Sequence, residues 1–328
     1  MRVLLTGGSG FVGGHIARAL HAHGHELRLL VRPTSDTSFV DAVPPLPYER
    51  AIGDLTDPQS LRAACDGVEA VVHAAAVLRA VRQESFMQAN ADGTRNLADA
   101  AANAGATRFV YISSIAAQGP APSYEPEPPE TVLHPVSPYG RSKAAGEAAL
   151  MEAERGLQIT IIRPPMVYGP ADTGLQIFFW LARRGISARL GDGGNLVDAI
   201  YGPDLAEAVA LALRAPGQPL VQYHASGDGG PHNWNELLST LERVAERRLF
   251  IPTLSPSVFH TFARICEGWA TLRGIEPTLD RARVIEMRQR AWLCDSSSLT
   301  RDTGWRPATG LEQGMAATMR WYREHGWA

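Results

Sequence analysis

A tyrosine stands four positions before a lysine in SPYGRSK, residues 137–143. Ser137 is a good helix N-cap, Pro138 suits the first helical position, and the run that follows is helical in pattern. Tyr139 and Lys143 should then share one helix face, because residues four apart are neighbours there. The ammonium could lie near the phenol, or both groups could hold one ligand. The alternative is a solvated tyrosine and an ordinary surface lysine.

A glycine-rich stretch, TGGSGFVG at residues 6–13, follows a strand pattern and opens a helical one. Such a loop binds phosphates: Gly7 permits the tight turn, Gly10 the approach of a pyrophosphate, and Gly13 close packing of helix on sheet. The helix N-terminus also favours negative charge. The pattern predicts a dinucleotide site, with cofactor contacts from Gly7, Ser9, Gly10, Phe11, Val12 and Gly13.

The end of the second predicted strand, LLVRPTSD, indicates which dinucleotide is preferred. NAD-binding proteins commonly carry a carboxylate there for the ribose hydroxyls, whereas this chain has Val31 and Arg32. Arg32 can pair with a 2'-phosphate, so we expect NADP(H) to be preferred and NAD(H) to be possible. The alternative is that Arg32 only stacks on the adenine.

Composition limits the class of partner. The chain has 328 residues, 20% charged and 45% hydrophobic, with a formal net charge of -3. This suits one large domain or two joined ones with a substantial core, and it gives no electrostatic footprint for nucleic acid, so we expect a small-molecule substrate. Cys65, Cys266 and Cys294 lie far apart and match neither a disulfide framework nor a metal spacing, so we expect no metal.

The N-terminal segment MRVLLTGGSG lacks the basic region and long apolar core of a signal peptide. No apolar run approaches the roughly 20 residues that a membrane span needs. We therefore expect a cytoplasmic protein without an integral membrane segment.

Short apolar runs alternate with helical patterns through the first half of the chain. This rhythm predicts an α/β fold, a doubly wound parallel sheet of the Rossmann type, with a smaller, mostly helical C-terminal substrate domain. The predicted strands are residues 2–6, 26–31, 48–53, 69–75, 107–113, 158–164 and 220–226. We assign residues 1–170 plus about 196–226 to the dinucleotide-binding domain, and about 171–195 plus 227–328 to the substrate-binding cap.

Two segments have alternative interpretations. Residues 119–136 are Pro-rich and acidic, which predicts either a substrate-side loop or an inert surface connection. Residues 255–272 carry apolar side chains at helical spacing. They could form the packed core of a cap helix, a lid over an apolar substrate, or an interfacial membrane contact.

Six motifs together resemble the extended short-chain dehydrogenase/reductase superfamily over nearly the whole chain: TGGSGFVG (6–13), GDLTD (53–57), NADGTRNL (90–97), YISS (111–114), YGRSK (139–143) and RPPMVYGP (163–170). The resemblance implies that Tyr139 is the general acid or base and that Lys143 lowers its pKa while holding the nicotinamide ribose. It also implies that Ser114 binds the reacting oxygen, with Ser113 as the rival. Asn90 would support the active site; the alternative is a helix N-cap.

The implied pKa shift is physically reasonable. Moving a tyrosine pKa from about 10 to about 7 requires roughly 4 kcal/mol of phenolate stabilisation. One ammonium at about 4 Å supplies approximately that much at an effective dielectric constant of about 20. Lys143 would therefore suffice.

The remaining expected contacts follow the same resemblance. For the cofactor they are Arg32, Asp54, Leu55, Ala74, Ala75, Ala76, Tyr139, Lys143, Pro164 and Val167. For the substrate they are Ser114, Met166 and Val77. The superfamily often dimerises through the helices that correspond to residues 84–104 and 137–155, so we expect a homodimer.

Two branches of the superfamily differ in net reaction. Met166 stands where nucleotide-sugar enzymes commonly have an Asn, Gln118 where they often have a Tyr, and residues 191–208 resemble steroid and sterol dehydrogenases. These features favour net oxidation or reduction of a hydroxyl or ketone on a bulky, largely apolar molecule. VRPTSD and the C-terminal DTGWRPATG also resemble proteins described as sugar epimerases, so an NAD-retaining nucleotide-sugar epimerase or dehydratase is the alternative. A non-catalytic cofactor sensor is the second alternative.

Overall fold

The structure is a computed structural model that describes residues 1–42, 45–80, 82–153, 156–215, 218–273 and 280–327. Positions 154–155 of the predicted helix bearing Tyr139 lie outside the described residues, as do 274–279 and 328 of the predicted cap. Among the helices described, none is both long enough and apolar enough to cross a bilayer.

The strands are β1 (Arg2–Thr6), β2 (Glu26–Val31), β3 (Glu49–Ile52), β4 (Ala70–His73), β5 (Arg108–Ile112), β6 (Gln158–Arg163), β7 (Met166–Tyr168), β8 (Arg189–Leu190), β9 (Leu196–Val197), β10 (Ala199–Tyr201), β11 (Leu220–His224), β12 (His232–Asn233), β13 (Thr253–Leu254) and β14 (Ala291–Trp292). The α-helices are α1 (Phe11–Ala22), α2 (Ser38–Asp41), α3 (Pro58–Cys65), α4 (Glu84–Met87), α5 (Gly93–Asn103), α6 (Ile115–Gln118), α7 (Pro138–Glu152), α8 (Gln176–Arg183), α9 (Gly202–Arg214), α10 (Trp234–Ala245), α11 (Pro256–Arg273), α12 (Arg281–Met287), α13 (Ser297–Thr303) and α14 (Leu311–Glu324).

A seven-stranded sheet forms the centre, in the order β11-β6-β5-β4-β1-β2-β3. Every pairing in it is parallel. The predicted doubly wound α/β fold is confirmed. The chain leaves β1 toward β2 on one side and later returns to β4 on the other, so a crevice opens at the carboxyl ends of β1 and β4, where such sheets bind ligands.

The alternating side chains of β1 show how the sheet is covered on both faces. Leu5 lies in a buried cluster with Ile16 of α1 and Leu205 of α9. Leu4, its neighbour, points to the opposite cluster, which holds Leu97 of α5. Helices therefore pack on both faces and fix the positions of the strand ends.

The C-terminal part is mostly helical and has a third buried cluster, which joins α8, α10 and α14. Three small sheets accompany it: β7 with β10, β9 with β12 and β14, and β8 with β13. These two- and three-residue strands were not predicted, because they are too short to leave a periodic pattern. The exact boundaries of the two predicted domains stay a prediction.

The predicted helix 84–104 is interrupted by a single π-helical turn, Gln88–Asp92, between α4 and α5. The Thr94 hydroxyl donates to the Asn90 carbonyl at 2.7 Å beside this turn. π-helical turns are rare and frequent at functional sites. This one carries the buried Asn90.

Candidate active site

The glycine loop between β1 and α1 has no room for side chains at two positions. Gly7 has φ +73°, and a Cβ on it would lie 2.6 Å from the Ala75 nitrogen. A Cβ on Gly13 would lie 2.0 Å from the Gly7 carbonyl oxygen. Both glycines are therefore required, Gly7 by the turn and its contact with the end of β4, and Gly13 by the approach of α1 to the loop.

The N-terminus of α1 suits a dinucleotide phosphate. Within the described chain, no side chain caps this helix. The backbone N–H groups of Phe11, Val12 and Gly13 therefore have no side-chain cap, and the first turn favours an anion. A Cβ on Gly10 would meet only the Gly7 carbonyl oxygen, at 3.3 Å, so a ligand can come close to the backbone there. Ser9, also predicted to contact the cofactor, is partly buried in the same loop.

The ends of β2 and β3 bring opposite charges together. Arg32 is exposed directly after β2, and its backbone N–H donates to the Ser35 hydroxyl at 3.0 Å. The Asp54 carboxylate accepts from the Thr56 backbone N–H at 2.9 Å and from its hydroxyl at 2.7 Å. These bonds, aided by the charge of Arg32, hold the pKa of Asp54 below its usual range. Leu55 follows, with its carbonyl accepting from Asn96 at 3.0 Å.

Small residues line the end of β4. Ala74 donates its N–H to the Thr6 carbonyl at 3.2 Å and Ala75 donates to the Thr6 hydroxyl at 3.3 Å, while Ala76 follows, partly buried. His73 bonds Thr6 at 2.6 Å and Thr94 at 3.0 Å. Burial lowers the pKa of His73 to about 3, so this imidazole is neutral and holds β4 in place beside the loop.

Tyr139 lies at the start of α7, as predicted. The Ser137 hydroxyl caps this helix by accepting from the Gly140 N–H at 2.9 Å, and Pro138 occupies the first position. The Ser114 side chain lies beside the Tyr139 phenol and lowers its pKa. Ser113 is directed elsewhere, because its hydroxyl donates to the buried Glu147. The structure thus pairs Tyr139 with Ser114, not with its rival.

Lys143 is buried one turn after Tyr139. Its ammonium donates to the Ile112 carbonyl at 2.7 Å and lies 4.0 Å from the centre of the Tyr111 ring. Burial lowers the pKa of Lys143 to about 7, opposed by the Glu147 carboxylate. The possibility that Lys143 is an ordinary surface residue is therefore wrong.

The surroundings of Tyr139 raise the pKa of its phenol. Burial raises this pKa to about 12, and the Glu286 carboxylate raises it further, while the Ser114 side chain and the charge of Arg283 oppose the shift. The Lys143 ammonium is bound to the Ile112 carbonyl. Lys143 is not among the groups that shift this pKa here, so the lowering of the Tyr139 pKa by Lys143 stays a prediction, and the phenol keeps its proton at neutral pH.

Asn90 holds backbone and helix together instead of capping a helix. Its side chain accepts from the Val77 N–H at 2.8 Å and donates to the Val77 carbonyl at 2.9 Å. It also donates to the Ser142 hydroxyl at 2.9 Å. Asn90 lies inside the π-helical turn, so the N-cap alternative is wrong. It fixes the position of α7 relative to the segment after β4.

Three predicted residues follow β6. Pro164 is buried, and its carbonyl accepts from the Ile115 N–H, next to Ser114, at 2.9 Å. Met166 and Val167 lie in β7, beside β10, and are partly buried. Met166 packs on the third cluster and Val167 on the first, so β7 joins the sheet layer to the C-terminal part.

A buried polar network was missed by the sequence reasoning. Arg163, at the end of β6, donates to Glu147 through Nε at 2.9 Å and through Nη2 at 2.6 Å. Its other N–H groups reach Gln118, Gln222 and the Pro129 carbonyl. All five guanidinium donors are thus satisfied. No sequence motif marks such a pair, because its members lie far apart in the chain.

The same network fixes the Pro-rich loop 119–136. Gln118 donates to the Pro128 carbonyl at 3.3 Å and accepts from His224 at 2.7 Å, while its own carbonyl accepts from the His134 N–H at 2.7 Å. The loop is therefore held against the strand ends that carry Ser114. Its contact with a substrate stays a prediction.

The C-terminal part also contributes charged groups that were not predicted. Glu286 of α12 accepts from the Ser137 hydroxyl at 2.5 Å, so its carboxylate lies at the N-terminus of α7. Burial raises the pKa of Glu286. Burial also raises the pKa of Asp172 to about 6, opposed by its bond from Gly174 and by the charge of Arg283. Motif spacing could not reveal these groups, because the pairing depends on tertiary packing.

Comparison with known proteins agrees with this geometry. The NAD dependent epimerase/dehydratase family matches residues 3–223. The chain is 30% identical to the ceramide reductase of Caulobacter vibrioides, over 99% of this chain and 95% of the relative. It is 28% identical to the 3-beta-hydroxysteroid dehydrogenase of Mycolicibacterium neoaurum, over 98% and 94%.

Among solved structures, the fold is similar to DesIV, a dTDP-glucose 4,6-dehydratase from Streptomyces venezuelae with NAD bound. The TM-score is 0.81 at 27% identity, covering 100% of this chain and 98% of that one. Three observations indicate the same family: the family match, the parallel sheet, and the placement of Ser114, Tyr139 and Lys143. The chain therefore belongs to the NAD-dependent epimerase/dehydratase family within the extended short-chain dehydrogenase/reductase superfamily, and it is an NAD(P)-dependent oxidoreductase.

Proposed function

We propose that this protein interconverts a hydroxyl and a ketone on a bulky, largely apolar small molecule, with Tyr139 as the general acid or base. The observation that carries the proposal is the placement of Ser114 beside the Tyr139 phenol, with buried Lys143 one turn further along the same helix. It supports a site in which two hydroxyl groups meet one substrate oxygen.

In the reductive direction, the substrate carbonyl oxygen accepts hydrogen bonds from Ser114 and Tyr139. The nicotinamide, when bound, supplies the hydride chemistry. Tyr139 Oη transfers its proton to the developing alkoxide oxygen, and the raised pKa of the phenol keeps that proton available at neutral pH. We assign Lys143, one turn further along α7, to hold the nicotinamide ribose and to stabilise the resulting phenolate when it is charged.

The remaining side chains hold the reacting groups in place. Asn90 holds the Val77 backbone and α7, so it keeps Tyr139 at a fixed place relative to the end of β4. Ser137, Pro138 and the Glu286 carboxylate fix the first turn of α7. Gly7, Gly10 and Gly13 would hold the pyrophosphate.

An apolar substrate is supported by both sequence and relatives. Met166 replaces the polar residue common in nucleotide-sugar enzymes, and we assign it, with Val77 and Ser114, to the substrate side. The names of two relatives, a ceramide reductase and a 3-beta-hydroxysteroid dehydrogenase, both describe large apolar substrates. For the cofactor, Arg32 favours NADP(H) over NAD(H).

Nucleotide-sugar chemistry with retained NAD is the second candidate. The similarity to DesIV covers the whole chain and supports it. Nucleotide-sugar chemistry would require a tightly held dinucleotide and would consume no reduced cofactor. Measurements of cofactor release and consumption therefore distinguish it from the first candidate.

We further propose a homodimer that packs through α5 and α7. An ion pair of 2.8 Å between Arg95 and Glu152 ties these two helices together, and Met87 and Met151 nearby are 44% and 36% exposed. Sedimentation velocity of the purified chain should give the mass of a dimer; a single monomer boundary contradicts it.

The first prediction concerns Tyr139. Tyr139→Phe removes the transferable proton while leaving the partly buried ring in place, so the dissociation constant for NADPH should stay unchanged. Turnover of hydrophobic ketones, followed by NADPH absorbance, should fall by at least roughly a hundredfold. The matched control is Tyr124→Phe, at an exposed loop position, which should keep full activity. Retained turnover in Tyr139→Phe rules out the assignment.

A further inference from the structure

Helix α11 (Pro256–Arg273) has two apolar faces, and only one of them packs on the protein. Ala263 and Ala270 are buried, at 0% and 1% exposure. A second set of larger apolar residues remains exposed: Val258 49%, Phe262 57%, Ile265 63%, Trp269 54% and Leu272 79%. The packed face is thus made of small residues and the solvent face of large ones, the reverse of an ordinary surface helix.

The exposed set forms one continuous stripe. Its members are spaced by four, three, four and three residues along the sequence. At 100° per residue, all five lie within an arc of about 80°. Scattered exposed apolar residues are normal, but a contiguous apolar stripe on a helix indicates an interaction surface.

Basic groups flank this stripe. His260, Arg264 and Arg288 line an adjoining groove of about 430 Å³, together with Ser257 and Thr261. On the other side, the Arg273 guanidinium lies 4.5 Å from the centre of the Trp269 ring. Large apolar residues bordered by arginines are the pattern of a helix that lies in the plane of a lipid interface.

Negative charge on α11 is confined to Glu267. Its carboxylate accepts from the Arg281 backbone N–H at 2.8 Å and from the Arg281 side chain at 2.7 Å, so its charge is balanced. The face around the stripe is therefore positive. A second copy docked here by a two-fold axis would bring the same arginines against each other, whereas anionic lipid headgroups would neutralise them.

We propose that the α11 face (Val258, Phe262, Ile265, Trp269 and Leu272 with Arg264, Arg273 and Arg288) binds the surface of an anionic lipid bilayer. The apolar stripe enters the headgroup–acyl boundary, and the basic groove contacts lipid phosphates. The helix lies flat on the membrane, in accord with its inability to span one. The proposal is independent of the reaction, because binding requires neither cofactor nor substrate.

The test is flotation of the full chain with vesicles in a density gradient. We expect the protein to float with vesicles of equimolar phosphatidylcholine and phosphatidylglycerol, and much less with phosphatidylcholine alone. Phe262→Ser combined with Ile265→Ser should lower the partition coefficient by more than about tenfold, because both side chains would be buried in lipid. Arg264→Gln combined with Arg288→Gln should abolish the difference between the two vesicle types.

The matched control is Val132→Ser, which removes an apolar side chain that is 85% exposed in the loop 119–136. It should float like the wild type. All variants change exposed positions, so their thermal unfolding should match the wild type. Wild-type protein that stays out of both vesicle fractions overturns the proposal. So does a Phe262→Ser/Ile265→Ser variant that still floats, or one that instead converts a dimer into a monomer in sedimentation velocity, which would assign the face to a second copy.

Discussion

The surroundings of Tyr139 keep the proton on its phenol, so this side chain donates a proton more readily than it accepts one. Burial and the Glu286 carboxylate raise its pKa to about 12, whereas the Ser114 side chain and Arg283 lower it. A neutral phenol can donate throughout the physiological pH range. The reverse reaction needs the phenolate, so oxidation of an alcohol should become faster as pH rises.

Glu286→Gln tests this arrangement. The amide keeps an oxygen that can accept from Ser137 but removes a negative charge near Tyr139, which should stabilise the phenolate. The pH profile of kcat/KM for alcohol oxidation should shift to lower pH by roughly 0.5 to 1 unit. Glu267→Gln, on the neighbouring helix α11, is the control and should leave the profile in place. An unchanged profile in Glu286→Gln shows that this carboxylate does not control the Tyr139 proton.

Arg32 is the residue on which the expected preference for NADP(H) depends. Its guanidinium is exposed at the end of β2 and can pair with a 2'-phosphate, although the ionised Asp54 carboxylate lies close enough to compete for it. Arg32→Ala should weaken NADPH binding about tenfold or more and leave NADH binding nearly unchanged, as measured by fluorescence titration. Equal affinity of the wild type for both cofactors would contradict the preference.

Among the elements, α7 depends on glycine for its close packing. A Cβ on Gly146 would lie 2.4 Å from the Asn90 carbonyl oxygen and 2.5 Å from the Tyr111 hydroxyl. The π-helical turn and β5 are therefore as close to α7 as their atoms allow. This contact sets the distance between Asn90, Lys143 and the sheet.

Gly146→Ala should lower the free energy of unfolding by about 1 to 3 kcal/mol, because backbone atoms would have to move. Gly268→Ala is the matched control, also in the middle of a helix but with nothing within 4 Å of the added Cβ. It should stabilise the protein by about 0.5 to 1 kcal/mol, since alanine favours a helix. Chemical denaturation measures both. Equal changes of the same sign would show that packing at Gly146 is not limiting.

The elements were predictable where local patterns are strong. The strand–helix alternation, the glycine loop and the Ser137 cap all follow from short sequence windows, and each has its expected structure. The Arg163–Glu147 pair and the Glu286 contact with Ser137 were not predictable, because they join residues far apart in the chain. The raising of the Tyr139 pKa by burial and Glu286 likewise depends on tertiary packing, while the lowering expected from Lys143 stays a prediction.

For the whole molecule, the candidate active site includes contacts between the sheet layer and the C-terminal helices. The sheet supplies the cofactor loop, Ser114 and α7, while α12 of the C-terminal part places Glu286 on the cap of α7. On the same C-terminal part, α11 packs against α12 and carries the exposed apolar stripe. A membrane-bound α11 would hold the C-terminal part at the lipid surface, the place from which an apolar substrate would come.

The central claim is a net oxidation or reduction with exchangeable cofactor. The most direct measurement is to denature the purified protein, identify any dinucleotide that it releases, and titrate the cofactor-free chain with NADPH and NADH. We predict an empty or readily exchanged site that binds NADPH more tightly. Stoichiometric NAD released only on denaturation would contradict this account and assign the protein to the nucleotide-sugar epimerases or dehydratases.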